Sequence, residues 1–199
     1  MATVGRLEFE KKLRRIDLTP YEFWLITFAY RQAKNGHGYG DKRRDGGERQ
    51  FEHPKRVALI LMDENADFMP PDPEMIIAAL LHDIKEDCFI LTWEDIERIF
   101  GKRIKKMVEI LTKDKELGEE LRNEIYFKKL AAASSKIKNI KLADRLDNVR
   151  TLGDCSPEKQ KEYLSETINF YLPLAKKTNG LLYHLLKIEC EKYTNKELP

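Results

Sequence analysis

The stretch Met75–Leu81 carries no charged residue, and it runs straight into His82, Asp83, Glu86 and Asp87. A helix that is apolar on every side must be buried on every side. Burying a histidine and three acids at its end costs roughly several kcal/mol per unpaired charge. Something must offset that cost, and a bound metal ion is the partner that best does so. At helical spacing Glu86 falls one turn after His82, and Asp87 one turn after Asp83. The pattern therefore predicts a helix over 73–87 whose four polar residues line one edge.

Other features limit the fold further. The 199 residues suffice for one well-packed domain, and no composition shift marks a boundary within them. Helix-start signals recur: Thr19-Pro20 with Glu22, Asp72-Pro73, Thr92 with Asp95, and Ser156-Pro157. Between them apolar residues recur at spacings of three and four, as in Trp93, Ile96, Ile99, Phe100 and then Ile104, Met107, Val108, Leu111. No alternating run suggests a strand. The reading is all-α, with helices over 6–15, 20–35, 52–66, 73–87, 93–100, 102–113, 118–133, 136–152, 157–177 and 180–193. Gly36 to Gln50, rich in glycine and basic residues, reads as a loop carrying binding groups. Phe23, Trp24 and Phe28 read as core.

The charge balance of +2 points to neither nucleic acid nor membrane as a partner. Lys102 to Lys106 reads as a solvated helix face. Cys88, Cys155 and Cys190 are odd in number and widely spaced, which suits a reducing cytoplasm rather than a disulfide framework. Neither a signal-peptide core nor a membrane-length apolar run is present in the sequence.

A second polar intrusion is the stripe Lys141, Asp144, Asn148 and Thr151, spaced three, four and three along a predicted helix. Its apolar face is Ile137, Ile140, Ala143, Leu146 and Val149. An ammonium, a carboxylate, an amide and a hydroxyl in one line suit a metal followed by a phosphate or a sugar. A third piece is His53-Pro54, at a helix start just after the basic loop. Taken together, His53, His82, Asp83 and Asp144 make a two-nitrogen, two-oxygen set that suits Mn2+, with Fe2+, Zn2+ or Mg2+ as alternatives.

This order, a histidine, a His-Asp pair and a later aspartate, resembles the HD-domain metal phosphohydrolases. The likeness extends to His82-Asp83 with Glu86-Asp87, Thr92-Trp93-Glu94-Asp95, Leu111-Thr112-Lys113, Lys141 through Leu146, and Asn148 with Arg150-Thr151-Leu152. In these pieces, from about residue 20 to 175, the chain is similar to the hydrolase domain of RelA/SpoT proteins. The resemblance implies an HD-domain helical bundle as a single domain over 1–199. With the chain ending at Pro199, it implies a stand-alone small alarmone hydrolase. The implied reaction removes the 3′-pyrophosphate from guanosine tetra- or pentaphosphate with Mn2+. By the same resemblance His53, His82, Asp83 and Asp144 are metal ligands, and Glu86 and Asp87 handle water and the proton. Arg44, Lys141, Asn148 and Thr151 line the nucleotide.

Three positions depart from the family pattern. Asp45 replaces a basic residue, Gln50 an aromatic and Asp147 a histidine, all expected in the nucleotide pocket rather than the metal set. The residues leave open an orthophosphate-releasing nucleotidase and a sensing module that binds without turnover. They indicate no oligomeric state.

Overall fold

Helix starts follow the capping chemistry of the sequence. Thr92 and Asp95 exchange hydrogen bonds with each other's backbone amides, and Asp72 and Ser156 cap from their side chains ahead of Pro73 and Pro157. Thr19 and Glu22 pair in the same reciprocal way. The computed structural model describes residues 5–38, 44–63, 71–87 and 90–194, without the side chain of Asp87. Its helices are Arg6–Leu13 (α1), Pro20–Gly38 (α2), Glu52–Leu61 (α3), Pro73–Leu81 (α4), Ile84–Asp87 (α5) and Trp93–Phe100 (α6). Lys102–Leu111 (α7), Glu119–Ala132 (α8), Ser135–Arg150 (α9), Pro157–Glu166 (α10), Leu172–Thr178 (α11) and Gly180–Thr194 (α12) complete them. Among the described residues there is no strand, so the all-α expectation holds.

Helix α4 is the centre of the molecule, and every residue from Met75 to Leu81 is buried. It packs against α2, α3, α7 and α9, and α9 packs in turn against α3, α11 and α12. One buried cluster extends from Phe9 to Cys190.

Four expectations need correction. The helix over 73–87 is broken at His82 and Asp83, between α4 and α5. The ring Nδ1 of His82 lies 2.8 Å from the Ala79 carbonyl, the acceptor an unbroken helix reserves for the Asp83 amide. The helix over 157–177 is interrupted by a π turn, Thr167–Tyr171, between α10 and α11. Helix α2 runs on through Gly36, which is buried, to Gly38, so the loop starts later than expected. Trp24 is surface rather than core: it is 47% exposed, stacked between Tyr21 and Phe28. Smaller differences lie at the ends, such as α3 stopping at Leu61, with 64–66 outside the described residues. No described helix is long and apolar enough to cross a membrane.

Candidate metal centre

Three pieces of chain meet at one point. The first turn of α3 supplies His53, the α4–α5 break supplies His82 and Asp83, and the middle of α9 supplies Asp144. His53, His82 and Asp144 are buried, each offering a ligand atom within 4.8 Å of the others. His53 Nε2 lies 2.9 Å from Asp144 Oδ1, and His82 Nε2 lies 3.7 Å from the same oxygen. Asp83 turns one oxygen to each ring, 3.1 Å from His82 Nε2 and 3.6 Å from His53 Nε2.

The far side of each ring fixes its orientation. His82 Nδ1 donates to the Ala79 carbonyl, and His53 Nδ1 donates to Asp147 Oδ2 at 2.7 Å. Both Nε2 atoms are thereby turned toward the two carboxylates, as in metal sites whose ligand rings are held from behind. His82 Nε2 is buried without a hydrogen-bond partner. A buried nitrogen left over beside two carboxylates is a position that a divalent cation satisfies. The donor set thus fits such an ion.

Electrostatics describe the same demand. Burial lowers the His53 pKa, but hydrogen bonds with Asp144 and Asp147 outweigh it and the net shift is upward. His82 is raised well above its ordinary value, burial again being outweighed, here by the charge of Asp83 and by Asp144. Asp144 is lowered despite its burial, first by Lys141, whose Nζ lies 2.5 Å from Oδ2.

Asp144 also anchors the polar stripe. Asn148 Nδ2 donates to Asp144 Oδ1 at 2.6 Å, and Arg44 Nη2 donates to Asn148 Oδ1 at 2.6 Å and to Thr151 Oγ1 at 3.4 Å. The expected substrate residues Arg44, Lys141, Asn148 and Thr151 are thus brought together across a separation of about a hundred residues. They line a cleft of about 620 Å³ together with His53, Asp83, Glu86 and Asp144. Glu86 accepts the Lys113 amide at 2.9 Å on the cleft wall, and burial raises its pKa. The side chain of Asp87, the other expected catalytic acid, lies outside the described residues. Lys42 and Arg43 also lie outside them.

Asp147 corrects the sequence reading. It was expected in the nucleotide pocket, yet it is 1% exposed and sits behind His53, where Arg56 Nε reaches it at 2.6 Å. Spacing along α9 did not set it apart, because it stands three residues after Asp144 and four before Thr151, the spacings that the stripe itself uses. Asp45 and Gln50 do line the cleft, and Asp45 pairs with Lys159 at 2.6 Å. Reading the sequence alone also missed Arg145, whose guanidinium lies 3.5 Å from the Tyr163 ring and 4.3 Å from that of Tyr171.

Residues 29–180 match the family model described as HD domain. The chain belongs to the HD-domain family. The HD domain is all-α, and the family implies a divalent metal at this site. Over 179 residues it is 37% identical to guanosine-3′,5′-bis(diphosphate) 3′-pyrophosphohydrolase of Aquifex aeolicus, covering 88% of this chain and 25% of that protein. Over 170 residues it is 36% identical to the bifunctional (p)ppGpp synthase/hydrolase SpoT of Escherichia coli K12, covering 82% and 23%. This HD domain thus spans about a quarter of the length of those curated relatives. A solved structure described as a metazoan ortholog of SpoT that hydrolyzes ppGpp superposes with a TM-score of 0.73 at 25% identity. That match covers 89% of this chain and 97% of the other.

Proposed function

We propose that the protein is a Mn2+-dependent pyrophosphohydrolase that releases pyrophosphate from the 3′ position of guanosine tetra- or pentaphosphate. One observation carries this reading: two imidazoles, each held from behind at Nδ1, face two carboxylates at the side of a cleft whose wall is Arg44, Asn148 and Thr151. The names of the relatives, which match over most of this chain, support that substrate class.

In this reading His53, His82, Asp83 and Asp144 hold the ion. When bound, it supplies Lewis-acid polarisation of water and of phosphate oxygens. Arg44, aimed by Asn148 and Thr151, takes an anionic oxygen of the nucleotide and fixes its orientation. Lys141, held against Asp144, places a second positive charge beside the cleft. Glu86 is the proton acceptor: burial shifts it toward the operating pH, which strengthens a carboxylate base, and its bond from the Lys113 amide fixes its plane. Asp87 is its proposed partner in handling water. The substrate is a small nucleotide, with neither nucleic acid nor membrane as partner. The activity is placed in the cytoplasm, where the free thiols of Cys155 and Cys190 fit a reducing medium.

The test is incubation of Mn2+-loaded protein with guanosine tetraphosphate beside an EDTA-treated control, with products separated by ion exchange. GDP and pyrophosphate in the metal-loaded arm alone are expected. Orthophosphate as the product would replace the reaction with a phosphatase, and nucleotide binding without turnover would replace it with a sensor.

A further inference from the structure

The segment carrying Arg44 folds back on itself. The Arg44 amide donates to Glu48 O at 3.0 Å and the Gly47 amide to Arg44 O at 2.8 Å. Gly47 has φ of 76°, a left-handed conformation that glycine adopts without strain. The turn sets the Glu48 carboxylate between two guanidiniums. It accepts Arg56 Nη1 at 2.7 Å and Nη2 at 2.6 Å, and it faces Arg44 Nε at 3.4 Å. On its other side Arg56 gives Nε and Nη2 to Asp147 at 2.6 and 3.1 Å, and Asp147 holds His53 Nδ1.

From Arg44 to Asp147 the charges alternate in sign, so each partly buried ion has opposite neighbours. Through Asn148 the circuit returns to Asp144. Arg56 is fixed by four hydrogen bonds from one planar guanidinium, which leaves it little freedom to tilt. Neither Arg56 nor Glu48 is among the groups assigned above to the ion or the nucleotide.

We propose that Glu48 and Arg56 are positioning residues: an ionic strut that holds, in one frame, the His53 ring behind the metal and the Arg44 guanidinium before the nucleotide. The inference rests on the reading of His53 as a metal ligand. Its physical content is geometric. Asp147 can aim one oxygen at His53 Nδ1 only while its carboxylate plane is held, and Arg56 holds that plane. Glu48 holds Arg56, and the same carboxylate faces Arg44. A loosened Asp147 frees the ring to turn, carrying Nε2 away from Asp83 and Asp144.

The experiment uses the full chain with Arg56→Gln, Arg56→Lys, Glu48→Gln and Arg44→Gln. Mn2+ affinity is measured by calorimetry on EDTA-stripped protein, and the His53 ring nitrogens are read by NMR in the metal-free state. Arg56→Gln is expected to weaken Mn2+ binding about 10–100-fold and to shift the His53 Nδ1–H resonance away from its hydrogen-bonded position, with Arg56→Lys recovering part of the loss. Glu48→Gln is expected to weaken Mn2+ binding and also to raise KM for guanosine tetraphosphate, whereas Arg44→Gln raises KM alone. Unchanged Mn2+ affinity and ring signals in Arg56→Gln and Glu48→Gln would overturn the strut, whatever the melting temperatures do. If Arg56→Gln does not fold, Glu48→Gln decides, since it keeps both partners, Arg56 and Asp147, and only loosens the Arg56 guanidinium that orients Asp147. The Mn2+ affinity and the ring signals need no substrate. A wild type inactive on guanosine tetraphosphate would therefore remove the proposed reaction without touching this result.

Discussion

Replacing Asp144 by asparagine keeps the shape of the site and removes its most connected charge. In the native protein this carboxylate, 2% exposed, takes Lys141 at 2.5 Å, Asn148 at 2.6 Å and His53 at 2.9 Å. The substituted amide presents one oxygen where two were in use, so the Lys141 ammonium is left without its partner. Breaking a buried pair in this way costs about 3–5 kcal/mol. Lys141 keeps 15% of its side chain in solvent, and the loss relieves repulsion with Asp83, so the low end, about 3 kcal/mol, applies. For a chain of this length that is a fall in Tm of about 6–12 °C in EDTA. Mn2+ at a hundredfold excess over its Kd adds about 2.7 kcal/mol, or about 5–11 °C, to the wild type. The variant should gain almost none of that. Scanning calorimetry of both proteins, in EDTA and in Mn2+, measures the two differences directly. An Asp144→Asn protein as stable as wild type in EDTA, and shifted equally by Mn2+, would refute both the ion pair and the ligand assignment.

Glu86→Gln should abolish most turnover while stabilising the metal-free protein at neutral pH. Burial raises the Glu86 pKa above its ordinary value of 4.5, so the wild type binds this proton more tightly folded than unfolded. That contribution is complete below about pH 4.5 and is lost as pH rises through the folded pKa. The stability advantage of the glutamine variant should therefore vanish in acid, and urea titrations across pH read it; an advantage that grew in acid would reverse the assignment. Gly101 joins α6 to α7 with φ of 91° and ψ of 163°, a region almost reserved for glycine, so Gly101→Ala should cost about 1–3 kcal/mol in urea melts with Mn2+ affinity unchanged. Arg145→Lys keeps the charge but cannot stack between Tyr163 and Tyr171, and a loss of about 2 kcal/mol is expected in the same melts.

The caps at Thr92, Asp72 and Ser156 were legible because they are local: a side chain meets an amide three residues on. The cluster of His53, His82, Asp83 and Asp144 was legible because charge at the edge of an apolar run is conspicuous, as with His82 and Asp83 at the end of an uncharged stretch. The break at that same place was not. It depends on a ring nitrogen competing for one carbonyl, and apolar periodicity registers no such competition. Asp147 was misplaced for a related reason. Its role is set by Arg56, 91 residues away, and pairing at that distance leaves no trace in spacing along one helix. Trp24 was misread because an aromatic stripe looks alike whether it faces the core or stacks upon itself at the surface.

The π turn at Thr167–Tyr171 makes the helical stretch from Pro157 to Thr178 one residue longer in sequence than in register. Tyr163 and Tyr171 are eight residues apart, and in an unbroken α-helix eight residues overshoot two turns by about 80°. Both rings nevertheless face the one guanidinium of Arg145, as residues seven apart would. The exposed Asn169 is thus a length reserve: the chain can lose a single residue there, relax to regular helix, and keep the two tyrosines closed on the arginine. A deletion elsewhere in a helix would turn everything beyond it by about 100°, whereas here it restores regular helix and is absorbed.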